Sequence, residues 1–131
     1  MNAVVADQHQ SIVVVEDDAG MSKAIARLLR AAGFQPTSFA SAEELLQTEA
    51  VDFAACLVLD IHLPGLSGLE LARLLVTSGR AKPVIFITGQ DDESLREEAQ
   101  RLGCAYFRKP FKGKELLEAI RGVVTVGQIK Q

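Results

Sequence analysis

Cysteine is scarce in this chain. Cys56 and Cys104 are the two in 131 residues, they form no CxxC pair, and neither has a histidine at metal-ligand spacing. The pattern argues against a disulfide framework or a thiolate metal site and for two small, reduced core residues of a cytoplasmic protein. Histidine is equally sparse: His9 lies in a polar leading segment, and His62 stands alone. No apolar run approaches the ~18 residues that a membrane span needs. A secretory leader is not visible either, because the N-terminus is polar after Met1 and has no basic stretch followed by an apolar core. There is no excess of positive charge. With 14 basic and 17 acidic residues the formal net charge is −3, which disfavours direct nucleic-acid binding, since that needs a basic face against the phosphates. Internal repeats and low-complexity tracts are also missing.

What is present is the composition of one globular domain, 48% hydrophobic and 24% charged. Residues 1–10 read as a flexible arm. Residues 11–16 form an apolar strand, followed by a helix with Met21, Ile25, Leu28, Leu29 and Ala32 at spacings of three and four. Gly33 is placed to end that helix in a left-handed conformation. Residues 34–39 read as a second strand, at a sheet edge because of Pro36. Ser41 and Glu44 make a capping-box pattern for a second helix over 41–49. Strands over 54–59, 84–88 and 105–108 alternate with helices whose inner faces carry Leu69, Ala72 and Leu75, then Leu95, Ala99 and Leu102, then Leu116, Leu117, Ile120, Val123 and Val124. Asp18, and Asp91 or Asp92, are placed to cap helices. The domain is expected over 11–124, with 125–131 as a tail or the start of a linker.

Five strand–helix repeats predict an α/β fold, a parallel sheet with right-handed crossovers and helices on both faces. Such a sheet can be ordered 2-1-3-4-5, with its switch point between the first and third strands. Strand one runs into Glu16 and Asp17, strand three into Asp60, strand four into Thr88, and strand five leads to Lys109 before Pro110. In a parallel sheet all five polar groups emerge at the carboxyl edge, where ligands bind in this architecture.

Three neighbouring carboxylates oppose one another's ionisation unless a cation intervenes. With no histidine or cysteine cluster, the donor set suits an oxygen-preferring ion, Mg²⁺ first and Mn²⁺ as the alternative. Lys109 adds a compact positive charge and Thr88 a hydroxyl donor. A carboxylate beside a metal ion and an ammonium is suited to attack phosphorus, and aspartyl phosphates are an established covalent intermediate. Phosphoryl transfer is catalysed mainly by positioning and by neutralising charge on the equatorial oxygens.

Taken in order, Glu16–Asp17, Asp60, Thr88 and Lys109–Pro110, each after a strand, resemble the receiver domain of two-component response regulators over about residues 11–124. The segments LVLDIHLPGLSGLEL (57–71) and PVIFITG (83–89) are similar to the branch typified by the nitrogen-fixation transcriptional regulator. The resemblance implies a flavodoxin-like receiver fold and makes Asp60 the phosphoacceptor. It makes Asp17 and Asp60 direct Mg²⁺ ligands, Glu16 a direct or water-mediated one, and the backbone carbonyl of His62 the last protein ligand. Thr88 contacts the phosphoryl group after transfer, Lys109 bonds the acceptor or that group, Tyr106 is the aromatic switch, and the bond to Pro110 is cis. The implied partners are a sensor histidine kinase or a histidine phosphotransfer protein, and an output domain or effector protein. Homodimerisation through the last two helices stays open. The chain would catalyse its own aspartyl phosphorylation and dephosphorylation only.

Three readings compete with the phosphorylation switch. An interaction domain of the same fold could work without phosphorylation. A phosphohydrolase of the haloacid-dehalogenase type also uses an aspartate after a strand, but needs a second aspartate two residues later, where this chain has His62. A flavodoxin-like cofactor site needs Ser, Thr and Gly after the first strand, where this chain has Glu16, Asp17 and Asp18.

Overall fold

The computed structural model describes residues 10–90, 92–103 and 105–129, and for 125–129 the backbone alone. Cys104, Asp91, His9 and most of the expected arm lie outside the described residues.

The elements alternate as β1 (Ser11–Val15), α1 (Ala19–Ala31), β2 (Gln35–Phe39), α2 (Ala42–Leu46), α3 (Ala50–Phe53), β3 (Cys56–Asp60), α4 (Gly68–Thr77), β4 (Val84–Thr88), α5 (Glu93–Leu102), β5 (Ala105–Arg108) and α6 (Gly113–Ile129). All pairings in the five-stranded sheet are parallel and its order is β2-β1-β3-β4-β5. The three central strands are buried on both faces, apart from half-buried Ser11, as their unbroken apolar runs require. β2, with Pro36, stands at one edge.

Alternate residues of the strands feed two separate cores. Val13, Val15, Leu57, Leu59 and Phe86 pack with Leu45, Leu69, Leu75 and Ala99 on the face covered by α2, α4 and α5. Ile12, Val14, Val58, Ile85 and Ile87 pack with Ile25, Leu29, Leu116 and Ile120 on the face covered by α1 and α6.

Local chemistry sets the element ends. Asp18 caps α1 by accepting from the Met21 amide at 2.7 Å, and Gly33 leaves it with φ +95°. Asp92 caps α5 by accepting from the Ser94 and Leu95 amides. Ser67 and Glu70 close a capping box at the start of α4. The single helix expected over 41–49 is instead two short ones. The Thr48 hydroxyl donates to the Leu45 carbonyl at 2.8 Å and accepts from the Ala50 amide at 3.1 Å, offering the backbone an alternative to the next helical bond. β3 begins two residues later than its apolar pattern suggests, because the Ala54 amide is still engaged with Val51 of α3. α6 runs on to Ile129, past Val124. Among the described residues no helix is long and apolar enough to cross a membrane.

Candidate functional site

The parallel sheet sends the C-terminal ends of β1, β3 and β4 and the turn after β5 to one edge. Glu16 follows β1 directly, and its amide donates to the Phe39 carbonyl of β2 at 3.0 Å, which pins the start of the acidic turn. Asp60 is the last residue of β3. The Ile61 amide then donates to the Ile87 carbonyl at 2.9 Å, so the loop after Asp60 leaves in a fixed direction. Lys109 is anchored through its amide to the Thr88 carbonyl at 2.7 Å, and the Lys109–Pro110 peptide bond is cis.

These anchors bring four charged side chains together. Glu16, Asp17 and Asp60 each offer a carboxylate oxygen, all within 4.8 Å of one another. Lys109 Nζ lies 2.6 Å from Glu16 Oε1 and 3.0 Å from Asp60 Oδ2. The other oxygen of Asp60 accepts the His62 amide at 2.9 Å. Glu16 and Asp60 are buried, whereas Asp17 is exposed at the mouth.

Burial raises the Glu16 pKa from 4.5 to about 6, reinforced by the Asp60 carboxylate and opposed by Lys109 and the Asp18 amide. For Lys109 burial works toward deprotonation, but the bonds to Glu16 and Asp60 outweigh it and its pKa rises. Glu16 Oε1 is buried and meets the Lys109 ammonium in a close ion pair. One ammonium facing three carboxylates leaves the cluster short of positive charge. An all-oxygen donor set of two buried carboxylates and an exposed third fits a divalent, oxygen-preferring cation.

The remaining expected residues lie around this cluster. Thr88 is fully buried. Its hydroxyl donates to the Gln90 carbonyl at 2.9 Å and accepts the Gln90 amide at 3.1 Å, so it is engaged with its own loop. The His62 side chain is exposed, and its field contributes to the lowered pKa of Asp92, after the hydrogen bonds from Ser94 and Leu95. Tyr106 is half-buried in β5, packs against the α5 face of the sheet and lies under the Arg96 guanidinium, 5.9 Å from the ring centroid. The residues that sequence reasoning missed are Gln90, which holds Thr88, and Glu43 of α2, which accepts the Leu66 amide at 2.8 Å. Gln90 had a signal, since it lies two residues beyond a strand-end threonine. Glu43 lies 23 residues from its partner and had none.

Residues 12–121 match the model of the response regulator receiver domain. The chain belongs to that family. This receiver domain is 42% identical over 110 residues to nodulation protein W of Bradyrhizobium diazoefficiens, covering 83% of the chain and 48% of that protein. It is 37% identical over 109 residues to the transcriptional regulatory protein FixJ of Azorhizobium caulinodans, covering 82% and 52%. Among solved structures, a response regulator receiver protein from Burkholderia phymatum superposes with a TM-score of 0.76 at 38% identity, covering 88% of this chain and 95% of that one. The chain spans about half the length of the curated relatives it matches. It is a signalling module of the two-component type, with the five-stranded receiver fold.

Proposed function

We propose that this receiver takes a phosphoryl group from a phosphohistidine onto Asp60 and changes its affinity for a partner as a result. The observation that carries the reading is the double hold on the Asp60 carboxylate. One oxygen meets Lys109 Nζ at 3.0 Å and the other the His62 amide at 2.9 Å, with Glu16 and Asp17 alongside. A nucleophile fixed at both oxygens has paid the entropy of orientation before its substrate arrives.

The donor is a sensor histidine kinase or a histidine phosphotransfer protein. An Asp60 oxygen forms the new O–P bond as the N–P bond to the donor imidazole breaks, and that imidazole keeps the bonding pair. Glu16, Asp17, Asp60 and the His62 carbonyl would hold Mg²⁺, or Mn²⁺ in its place. The ion supplies positive charge against the phosphoryl oxygens, where such catalysis mainly acts. Lys109 adds an ammonium on the same side and retains its proton, because Glu16 and Asp60 favour its charged form. Thr88 donates to a phosphoryl oxygen once its two bonds to Gln90 are given up, and Tyr106 turns inward behind it. The exposed His62 side chain tunes anion entry or hydrolysis of the acyl phosphate.

A phosphoryl group adds a charge of about −1.5 to −2. Any change of shape follows from the unequal stabilisation of two states by that charge. The surface of α5, β5 and α6 is where partner binding changes, either with an output domain or with an effector protein in the cytoplasm. Homodimerisation on the same surface is one form such binding could take.

The test is incubation with Mg²⁺ and a small acyl phosphate, read by intact mass. The wild-type chain gains one phosphoryl group and Asp60→Asn gains none. An unmodified wild-type chain, or labelling that persists in Asp60→Asn, overturns the reading. Equal partner binding by wild type and Asp60→Ala would favour a phosphorylation-independent interaction domain instead.

A further inference from the structure

The loop over 61–67 links the acceptor strand to α4, and several hydrogen bonds hold it, among them those of the His62 amide to Asp60 and the Ser67 amide to Glu70. At its start the Ile61 amide donates to Ile87, and at its end the Gly68 amide returns to the Ile61 carbonyl at 3.0 Å. Between them lies an outer arc in which Pro64 and Gly65 are exposed. A further hold is on that arc. Glu43, from α2, reaches across to accept the Leu66 amide through Oε2 at 2.8 Å.

The carboxylate lies close against this backbone. Gly65 has φ +74°, and a Cβ built on it would lie 2.6 Å from Glu43 Oε2 and 3.2 Å from Cδ. The carboxylate therefore lies directly against the Gly65 backbone, in space that any larger residue would fill. α2 is itself tied to the pocket, since it follows β2, whose Phe39 carbonyl accepts the Glu16 amide. One side chain thus joins the segment that pins Glu16 to the loop that carries His62.

We infer that Glu43 is a positioning residue for the metal and phosphoryl centre: its bond to Leu66 fixes the outer arc, and with it the angle at which the His62 peptide meets Asp60. The inference rests on the reading of the site given above. Glu43 touches neither the acceptor nor the candidate ligands. It acts through the backbone between Leu66 and His62, as groups behind metal ligands do when they set ligand orientation. A charged acceptor suits this task, because a carboxylate–amide bond is roughly twice as strong as a neutral one.

The test measures Mg²⁺ binding by calorimetry, and labelling by a small acyl phosphate, on the full chain at fixed ionic strength. Glu43→Ala should weaken Mg²⁺ binding about tenfold, the lower end of what losing a supporting partner costs. Its labelling should be slow at low Mg²⁺ and approach the wild-type rate at saturation. Glu43→Gln keeps a carbonyl oxygen for the Leu66 amide and should stay within about threefold of wild type. An alanine variant that binds Mg²⁺ as wild type does overturns the inference alone. So does a glutamine variant as weak as alanine, which would trace the effect to lost charge instead of the bond. A wild-type chain that binds no Mg²⁺ overturns the proposed function and this inference together.

Discussion

Glu16 sits where burial and charge pull against each other. Its carboxyl group is buried beside Asp60, and burial lifts its pKa from 4.5 to about 6. Between those values the native chain holds a proton that the unfolded chain has released. Stability from this group is therefore complete below pH 4.5 and is lost as pH rises toward 6. Measured by urea unfolding in a chelator, the wild-type chain should lose on the order of 1–2 kcal/mol relative to Glu16→Gln across that window. Mg²⁺ should abolish the loss, because a nearby cation favours the ionised form. A difference that stays flat with pH, or grows in the opposite sense, would count against a protonated Glu16. Lys109 does not blur the measurement, since its raised pKa keeps it charged throughout. The juxtaposition of Glu16, Asp17, Asp60 and Lys109 was legible in the sequence because each marks the end of an apolar run, and a parallel sheet turns chain position into spatial position. What Tyr106 and Glu43 touch was not legible. Those contacts depend on how loops cross the edge of the sheet, and no periodicity encodes that crossing.

At the scale of elements, the loop–helix junction after Asp60 tolerates little. A Cβ on Gly68 would lie 2.2 Å from the Asp60 carbonyl oxygen, and backbone on both sides leaves no flexible atom to give way. Gly68→Ala should destabilise the fold by about 1–3 kcal/mol, the usual cost of overpacking, and should weaken Mg²⁺ binding by moving the acceptor strand. Equilibrium unfolding and calorimetry test both parts, and a neutral variant would show that α4 can slide away from β3. α5 is held differently. Among the described residues of that helix Ala99 alone is buried, and Leu95 and Leu102 are half-buried. Its further ties are the ion pair of Glu98 with Arg73 and the contact of Arg96 with Tyr106. Amide exchange should therefore find α5 opening well before β1, β3 and β4, whose residues are buried almost throughout. Equal protection in α5 and β3 would contradict this. The split between α2 and α3 was missed for a local reason. The capping pattern at Ser41 correctly announced a helix, but the Thr48 side chain competes for the backbone two turns later, and propensity alone does not reveal which bond wins.

For the molecule as a whole, binding and folding are linked. An ion that binds the folded pocket and not the unfolded chain adds about 2.7 kcal/mol at one hundred times its dissociation constant. Mg²⁺ at that excess should raise the urea midpoint of the wild-type chain and leave a chain carrying both Asp17→Asn and Asp60→Asn unmoved. An equal rise in both would mean that the ion acts elsewhere. The strand order was legible as a known arrangement of such sheets, one whose switch point lies beside the acidic strand ends, and the continuous apolar runs called for burial on both faces. The sheet also separates the two cores, so the helices on its opposite faces do not share one packing problem. Truncating Leu75 on one side and Leu116 on the other should each cost about 2–5 kcal/mol, and the paired loss should be additive to within about 0.5 kcal/mol. Such a partition lets a lineage revise one flank, where a surface must suit a new correspondent, while the opposite flank and the chemistry at the rim are inherited unchanged.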